Sequence, residues 1–465
     1  MTDLIPEEIK RVYMTLTDAH FEAYLVGGCV RNMLLGKTVK DWDLTTNATP
    51  EEILKLFPNG FYDNAFGTVG IPIDLNSEKH IVEITTFRCE EEYSDGRHPD
   101  KVTWGKTIEE DLERRDFTVN AMALKLANGL PASRQGGPTT DYSVIDPYHG
   151  QEDLKNNIIR AVGESDKRFK EDALRLMRAI RLATTLQFTI EETTWNAILT
   201  NAELLKNISG ERIRDELLKI LASDFPYEGI MLLRNAGLLE FIIPELLEGI
   251  GISQARPGRH HTADVFTHNL LSLKTTPAKD PIVRLATLLH DIGKPRVESS
   301  DEEGLVIFHN HEIIGAKIAR SISERLRLSK KQIDKIVLLI RWHMFTVDEH
   351  ITDAAVRRFI RRVGLDNIRD MIDLRIGDRL GGGTETAESW RLKLFKDRIE
   401  EQLKPAAFSI NDLAIDGNDI MQELNIKPGR QVGELLQKLF EAVDGDLSKN
   451  TKEHLFSLLK NLSHE

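Results

Sequence analysis

The residues best placed to do chemistry stand in the run LVGGCVRNMLLGKTVKDWDLTT, residues 25–46: Gly27-Gly28, then Arg31, then Asp41 and Asp43. Alternate residues of a strand share one side, so a strand through Asp41 and Asp43 turns both carboxylates to one site. Two hard anions at that separation suit Mg²⁺, which keeps coordination positions for phosphate oxygens and water. A two-ion centre of this kind stabilises the attacking and the leaving oxygen of a phosphoryl displacement. An isolated D-x-D is equally the composition of a solvated turn, and the upstream GG-x-x-R is what favours phosphate chemistry. Paired glycines let the backbone approach a bulky ligand. A helix that starts after them offers unpaired N–H groups to an anion, with Arg31 in its first turn.

These residues need elements to hold them. Tyr24, Leu25 and Val26 read as a strand, Cys29 to Leu35 as a short helix, and Gly36 as its stop. Upstream, Ile9, Val12, Tyr13 and Leu16 recur at helical spacing over residues 6–19. Downstream, Thr49-Pro50-Glu51-Glu52 starts another helix. Residues 66–69 and the run HIVEITTF from His80 read as sheet strands, with Glu83 either a third carboxylate or a structural one. The chain has 465 residues, enough for several cores. No apolar run reaches the roughly 18 residues of a membrane span, and the N-terminus lacks a signal-peptide layout. Two cysteines, Cys29 and Cys89, make no disulfide framework and read as free thiols of a cytoplasmic protein. The net charge of −13 opposes unspecific coating of nucleic acid, although a local basic face still binds phosphates.

GGCVRN followed by DWDLTT resembles motif A of the class II tRNA nucleotidyltransferases, the CCA-adding enzymes, and of their poly(A) polymerase relatives. The resemblance continues down the chain. Tyr93-Ser94-Asp95 and Arg97-His98-Pro99 resemble the loop that CCA-adding and A-adding members carry and CC-only members lack. EDLERRDFTVNAMA, from Glu110, resembles motif B. It implies that Arg115 contacts nucleotide phosphate and that Asp116 and Asn120, four apart on a helix, hold the ribose. Asp146 to Gly150 resembles motif C. EDALRLMRAIRLA, from Glu171, resembles motif D, in which Asp172 and Arg175 read the Watson–Crick edge of the incoming base, with Arg178 and Arg181 along the same drifting stripe. A carboxylate accepts from the exocyclic amine of C or A, and a guanidinium donates to a ring or carbonyl acceptor. Uracil and guanine would leave such groups unpaired. SGERIRDEL, from Ser209, resembles motif E and reads as a structural brace. Taken without the family, RRD is a solvated charge cluster and the motif D helix an amphipathic one with an arginine edge.

Histidine density rises after His260, and the order H…HD…H…H…D resembles the HD superfamily of metal-dependent phosphohydrolases. The resemblance makes His268, His290, Asp291 and Asp378 the core metal ligands, and His311 and His343 the extra pair of two-metal members. The residue types fit a divalent transition metal or Mg²⁺ without choosing among them. A metal-bound water there hydrolyses a phosphoester. His290-Asp291 is expected at the end of a helix over residues 281–293, with Gly293 as its C-cap. Lys427, Arg430, Lys438, Lys449 and Lys452 are candidate phosphate contacts along a tRNA.

The expected fold is α+β: a polymerase-β-like nucleotidyltransferase head with a mixed sheet (1–150), an all-α neck carrying the base-reading helix (151–250), an HD domain (251–385) and a helical tRNA-binding tail (386–465). The expected function is addition of CCA to the tRNA 3′ end from CTP and ATP, with Mg²⁺ at the head and no membrane partner. The alternatives are an A-adding enzyme or poly(A) polymerase, which share the chemistry. A reading of another class is an HD phosphatase or cyclic phosphodiesterase acting on RNA ends. Residues 126–140 form a loop longer than the family leads one to expect.

Overall fold

The computed structural model describes residues 5–62, 67–75, 78–91, 101–127, 142–254, 263–345, 351–384, 386–403, 410–444 and 446–462. The loop resemblance at 93–99, most of the long loop at 126–140, and His260 and His261 lie outside them. The chain divides into two compact units, Met1–Leu247 with Ile322–Leu328, and Glu248–Ser321 with Ser329–Glu465.

The first unit is built on a mixed seven-stranded sheet. Its elements begin with α1 (Glu7–Asp18), β1 (Ala23–Val26), α2 (Gly28–Leu34), β2 (Asp43–Thr46), α3 (Pro50–Leu56), β3 (Phe61–Tyr62), β4 (Thr68–Leu75) and β5 (Glu78–Thr86). There follow a separate hairpin of β6 (Arg88–Glu91) and β7 (Lys101–Trp104), α4 (Ile108–Glu113), β8 (Ala123–Leu126) and β9 (Tyr142–Ile145). The spatial order is β3-β4-β5-β2-β1-β8-β9. Only β2 and β5 in this sheet run parallel, with Asp43 in register with Glu83. Helix α1 lays the expected Ile9, Val12, Tyr13 and Leu16 against the core. At α3, Thr49 and Glu52 close a reciprocal capping box.

The helical part of this unit comprises α5 (Gly150–Asn156), α6 (Ser165–Glu171), α7 (Leu174–Leu186), α8 (Glu192–Asn201) and α9 (Gly210–Ala222), followed by further helices to Leu247. Two expectations are corrected here. The motif D stripe is not one helix from Glu171: the chain breaks at Asp172, which is extended (φ −147°, ψ 104°). Its Oδ1 accepts from the backbone N–H of Leu174, the first residue of α7. Asp116 and Asn120 do not share a helix either, because α4 stops at Glu113 and only a 3₁₀ turn covers Thr118–Asn120. The turn still brings them together, with Asn120 Nδ2 donating to Asp116 Oδ1 at 3.2 Å.

The second unit is helical, apart from a two-stranded pair of Ser299–Ser300 with Val306–Ile307. Helices Val265–Thr275, Pro281–Leu289, Lys330–Trp342 and Ile368–Gly381 enclose its first core. A second cluster gathers Ile420, Val432, Leu439, Phe440, Val443, Leu455 and Leu459 near the C-terminus. The expected helix to Gly293 ends earlier, at Leu289, and Gly293 (φ −79°) is no left-handed cap. Its glycine serves close approach: a Cβ there would lie 2.2 Å from the carbonyl oxygen of His311. Among the described residues no helix is long and apolar enough to cross a membrane.

Ile180 lies fully buried on α7, the helix that packs on α9. Ile180→Ala should cost about 2–5 kcal/mol of the first unit's stability, read by calorimetry as a lowered transition for that unit.

Candidate active site and metal cluster

A pocket of about 440 Å³ opens in the first unit where the sheet meets the neck helices. It is lined by Gly27, Gly28, Asp43 and Glu83 from the sheet region, by Arg115, Asp116 and Asn120, and by Asp172, Arg175, Arg178 and Arg212 of the neck. Gly27 sits at φ +72°, and a Cβ on it would meet Arg115 Nη1 at 2.9 Å. Glycine is therefore needed both for the turn and for the approach of that guanidinium.

Asp43 opens β2, and Asp41 stands two residues before the strand, so the expected two-carboxylate strand is shorter than its motif. The alternation nonetheless persists: Trp42 is buried between an exposed Asp41 and a half-buried Asp43. Burial pushes the Asp43 carboxyl up, Arg115 opposes the shift, and the charge of Asp41 adds to it. A half-buried carboxylate raised in this way, with a second carboxylate beside it, fits the donor set of a divalent cation.

The remaining charges are paired. Asp111, fully buried, accepts from Arg114 at 2.6 Å and from Arg115 at 3.1 Å and so fixes the latter. Asp116 accepts from Arg178 Nε at 2.7 Å, from Asn120 and from the Phe117 N–H. Burial would raise its carboxyl, but Arg178 holds it far below the usual range. Arg175 donates to Glu171 at 2.6 Å and to the backbone oxygens of Arg168 and Arg114. Arg212 grips Asp172 with two bonds, of 3.1 and 2.7 Å. Arg31, Arg181 and Asp41 stand apart from the pocket lining. Arg31 donates to Asn120 Oδ1 at 2.5 Å and to Asn32, and burial lowers it to about 10. Arg181 pairs with Glu216 at 2.5 Å.

Sequence reasoning did not single out Asp111, nor Arg212 as the partner of Asp172. Both lie inside motifs quoted for other reasons. A carboxylate three and four residues before Arg114 and Arg115 was the available signal for the first.

In the second unit the six candidate ligands converge. His268, His290 and Asp378 form one group, and Asp291, His311 and His343 another. The two imidazole Nε2 atoms of the first group are 3.2 Å apart, and those of the second 3.4 Å. Asp291 joins the groups. Its Oδ2 lies 3.3 Å from both His268 and His290, and its Oδ1 3.3 Å from His311 and 3.6 Å from His343. The Nδ1 atoms of His290, His311 and His343 lie 2.8, 2.8 and 2.7 Å from backbone carbonyl oxygens of Thr287, Phe308 and Ile340. An N–H donated there leaves the Nε2 lone pair for a metal, so the set fits a pair of divalent ions. Lys294, three residues past Asp291 and unremarked in the sequence, places its ammonium 2.6 Å from Asp291 Oδ2. Burial would raise both aspartates; Lys294 and His290 hold Asp291 ionised, and His268 and His290 hold Asp378 so. In the tail, Arg430, Lys449 and Lys452 pair with Glu434, Asp446 and Asp419 on an exposed surface.

Comparison with known proteins agrees with this anatomy. Residues 23–160 match the family described as the poly A polymerase head domain, 187–249 the probable RNA and SrmB-binding site of polymerase A, and 261–380 the HD domain. The CCA-adding enzyme of Lactobacillus delbrueckii subsp. bulgaricus is 46% identical over 447 residues, covering 96% of this chain and 95% of that protein. The A-adding tRNA nucleotidyltransferase of Deinococcus radiodurans is 34% identical over 433 residues, 90% of this chain and 91% of its own length. Among solved structures, the Bacillus stearothermophilus CCA-adding enzyme in complex with CTP superposes with a TM-score of 0.68 at 25% identity, covering 98% of this chain and 97% of that one. With a head pocket of the expected residue types and relatives that align end to end, the chain belongs to the tRNA nucleotidyltransferase family of the CCA-adding and A-adding enzymes.

Proposed function

We propose that the chain builds CCA at the tRNA 3′ end, taking CMP and AMP units from CTP and ATP and releasing pyrophosphate. One observation carries the reading: Asp43 and the Gly27-Gly28 turn share a single pocket of about 440 Å³ with Asp172, Arg175 and Arg178. The volume suits one nucleotide, its triphosphate toward Asp43 and its base toward the neck. Asp41 and Asp43 would hold Mg²⁺, which when bound stabilises charge on the attacking and leaving oxygens. Arg115, fixed by Asp111, donates to the phosphates, while Asp116 and Asn120 order the ribose side of the pocket.

The base is selected by side chains in place of a template. Arg212 fixes the Asp172 carboxylate as an acceptor, and Arg175 retains donors on its guanidinium for a ring or carbonyl acceptor. C and A satisfy that pair; U and G present the opposite exocyclic group. The closer full-length relative bears the CCA-adding name, at 46% against 34% identity for the A-adding one, which supports addition of all three nucleotides. In this reading residues 1–150 are the catalytic head, 151–250 the neck, 251–385 the HD domain and 386–465 a tail that follows the tRNA through Lys427, Arg430, Lys438, Lys449 and Lys452, in the cytoplasm.

A second activity has its own observation, the bridging position of Asp291 between two histidine groups. It supports a phosphohydrolase centre in the HD domain that uses a divalent transition metal or Mg²⁺.

Asp43→Asn should lower incorporation of both CTP and ATP by roughly 10³-fold, measured on tRNA lacking CCA by single-turnover gel assay; retained incorporation would remove this carboxylate from the chemistry. Asp172→Asn should erode the preference for CTP over UTP at least about tenfold while the variant still releases pyrophosphate. Undiminished selectivity would assign base reading elsewhere. Asp291→Ala should abolish metal-dependent release of phosphate from p-nitrophenyl phosphate and leave CCA addition intact, and equal loss of both activities would make the cluster structural.

A further inference from the structure

Beside the HD cluster lies a second pocket, of about 470 Å³, walled by Met344, Phe345, Arg375, Arg379, Trp390 and Arg391. Its chemistry is distinctive in an acidic chain: three guanidinium groups and no carboxylate among its described lining residues. Trp390 opens the helix Trp390–Gln402 and is 59% exposed while lining the pocket. Arg391 lies over that ring at 5.3 Å and Arg375 over Phe345 at 5.8 Å. The Nε of Arg379 is buried without a hydrogen-bond partner among the described residues, which costs free energy unless a ligand supplies an acceptor.

The pocket is tied to the metal ligands at two points. Met344 follows His343 directly in the chain. Arg375 Nη1 donates to Asp378 Oδ2 at 2.8 Å, while Asp378 Oδ1 lies 3.2 Å from His268 Nε2. One carboxylate therefore belongs both to the ligand set and, through Arg375, to the pocket wall. A group bound against Arg375 is held next to the cluster.

We propose that this pocket is the substrate-binding site of the HD centre and that it takes an unstacked nucleotide bearing a ribose phosphate. The base stacks on Trp390, a platform that accepts any base face. Arg379 and Arg391 bind the phosphate, and Arg375 sets it beside Asp378. The same chemistry is offered by a free mononucleotide and by the last nucleotide of an RNA chain. This assignment rests on the phosphohydrolase reading of the HD domain.

The test is calorimetric titration of the full-length, metal-free protein with adenosine 3′-monophosphate, on an Asp43→Asn, Arg115→Ala, Asp172→Ala background that removes the head's own phosphate- and base-binding groups. Trp390→Ala and Arg379→Ala should each weaken binding about tenfold, Trp390→Phe should retain most of it, and adenosine or inorganic phosphate alone should bind more weakly than the nucleotide. With Asp43, Arg115 and Asp172 intact, the Trp390 and Arg379 variants should add CCA as the unmodified chain does. Unchanged nucleotide affinity in both alanine variants would overturn the proposal. Hydrolysis of p-nitrophenyl phosphate reports the metal centre separately: absent hydrolysis with binding lost in Trp390→Ala removes the phosphohydrolase reading and keeps the nucleotide pocket. Displacement of the mononucleotide by tRNA ending in a 3′-phosphate identifies the RNA end as the source, and failure to displace it identifies the free nucleotide; either result keeps the site.

Discussion

The first unit concentrates buried and half-buried charge around one pocket, and its architecture follows from the need to pair those charges. Asp111 holds Arg114 and Arg115, Arg178 holds Asp116, Arg212 holds Asp172, and Glu171 holds Arg175. Asp43 differs. Burial pushes it up, Arg115 relieves it in part, and Asp41 opposes the relief. A pocket in which most charges are neutralised by neighbours, and one carboxylate is left raised beside another, is arranged for a cation that arrives with the substrate.

The pairing also explains how rigid elements meet at one place. Arg115 can stand against the turn between β1 and α2 because Gly27 has no Cβ. Asp172 accepts the N–H of Leu174 at the start of α7 and receives Arg212 from α9, so the carboxylate proposed to read the base is held by two helices. A side chain restrained in this way loses little entropy on meeting a base, which favours discrimination by hydrogen-bond pattern over flexible accommodation.

Much of this was legible in the sequence. GG-x-x-R and D-x-D named Gly27, Gly28 and Asp43 of the pocket lining, and the order of histidines and aspartates named the six residues of the two clusters, because those signals depend on residue type and order; Arg115, Asp116, Asn120, Asp172, Arg175 and Arg178 came from the family resemblance. Local geometry was less legible. The spacing of Asp172, Arg175 and Arg178 implied one helix, yet Asp172 is an extended residue between α6 and α7 whose short carboxylate takes the Leu174 N–H. Asp116 and Asn120 meet through a turn, where four-residue spacing had suggested a helix. The roles of Arg31 and Arg181 depended on tertiary partners, Asn120 and Glu216, which no local pattern announces. The position of Asp291 between the two groups likewise depends on the five helices that carry or end at the six residues.

The central claim is that Asp41 and Asp43 together hold a divalent ion against the triphosphate of an incoming nucleotide. The most direct measurement is anomalous diffraction at the manganese edge from crystals of this protein soaked with CTP and Mn²⁺. A peak within coordination distance of both carboxylates and of the CTP phosphates is expected. Manganese at the histidine cluster alone, with CTP bound and its phosphates remote from Asp43, would contradict the claim.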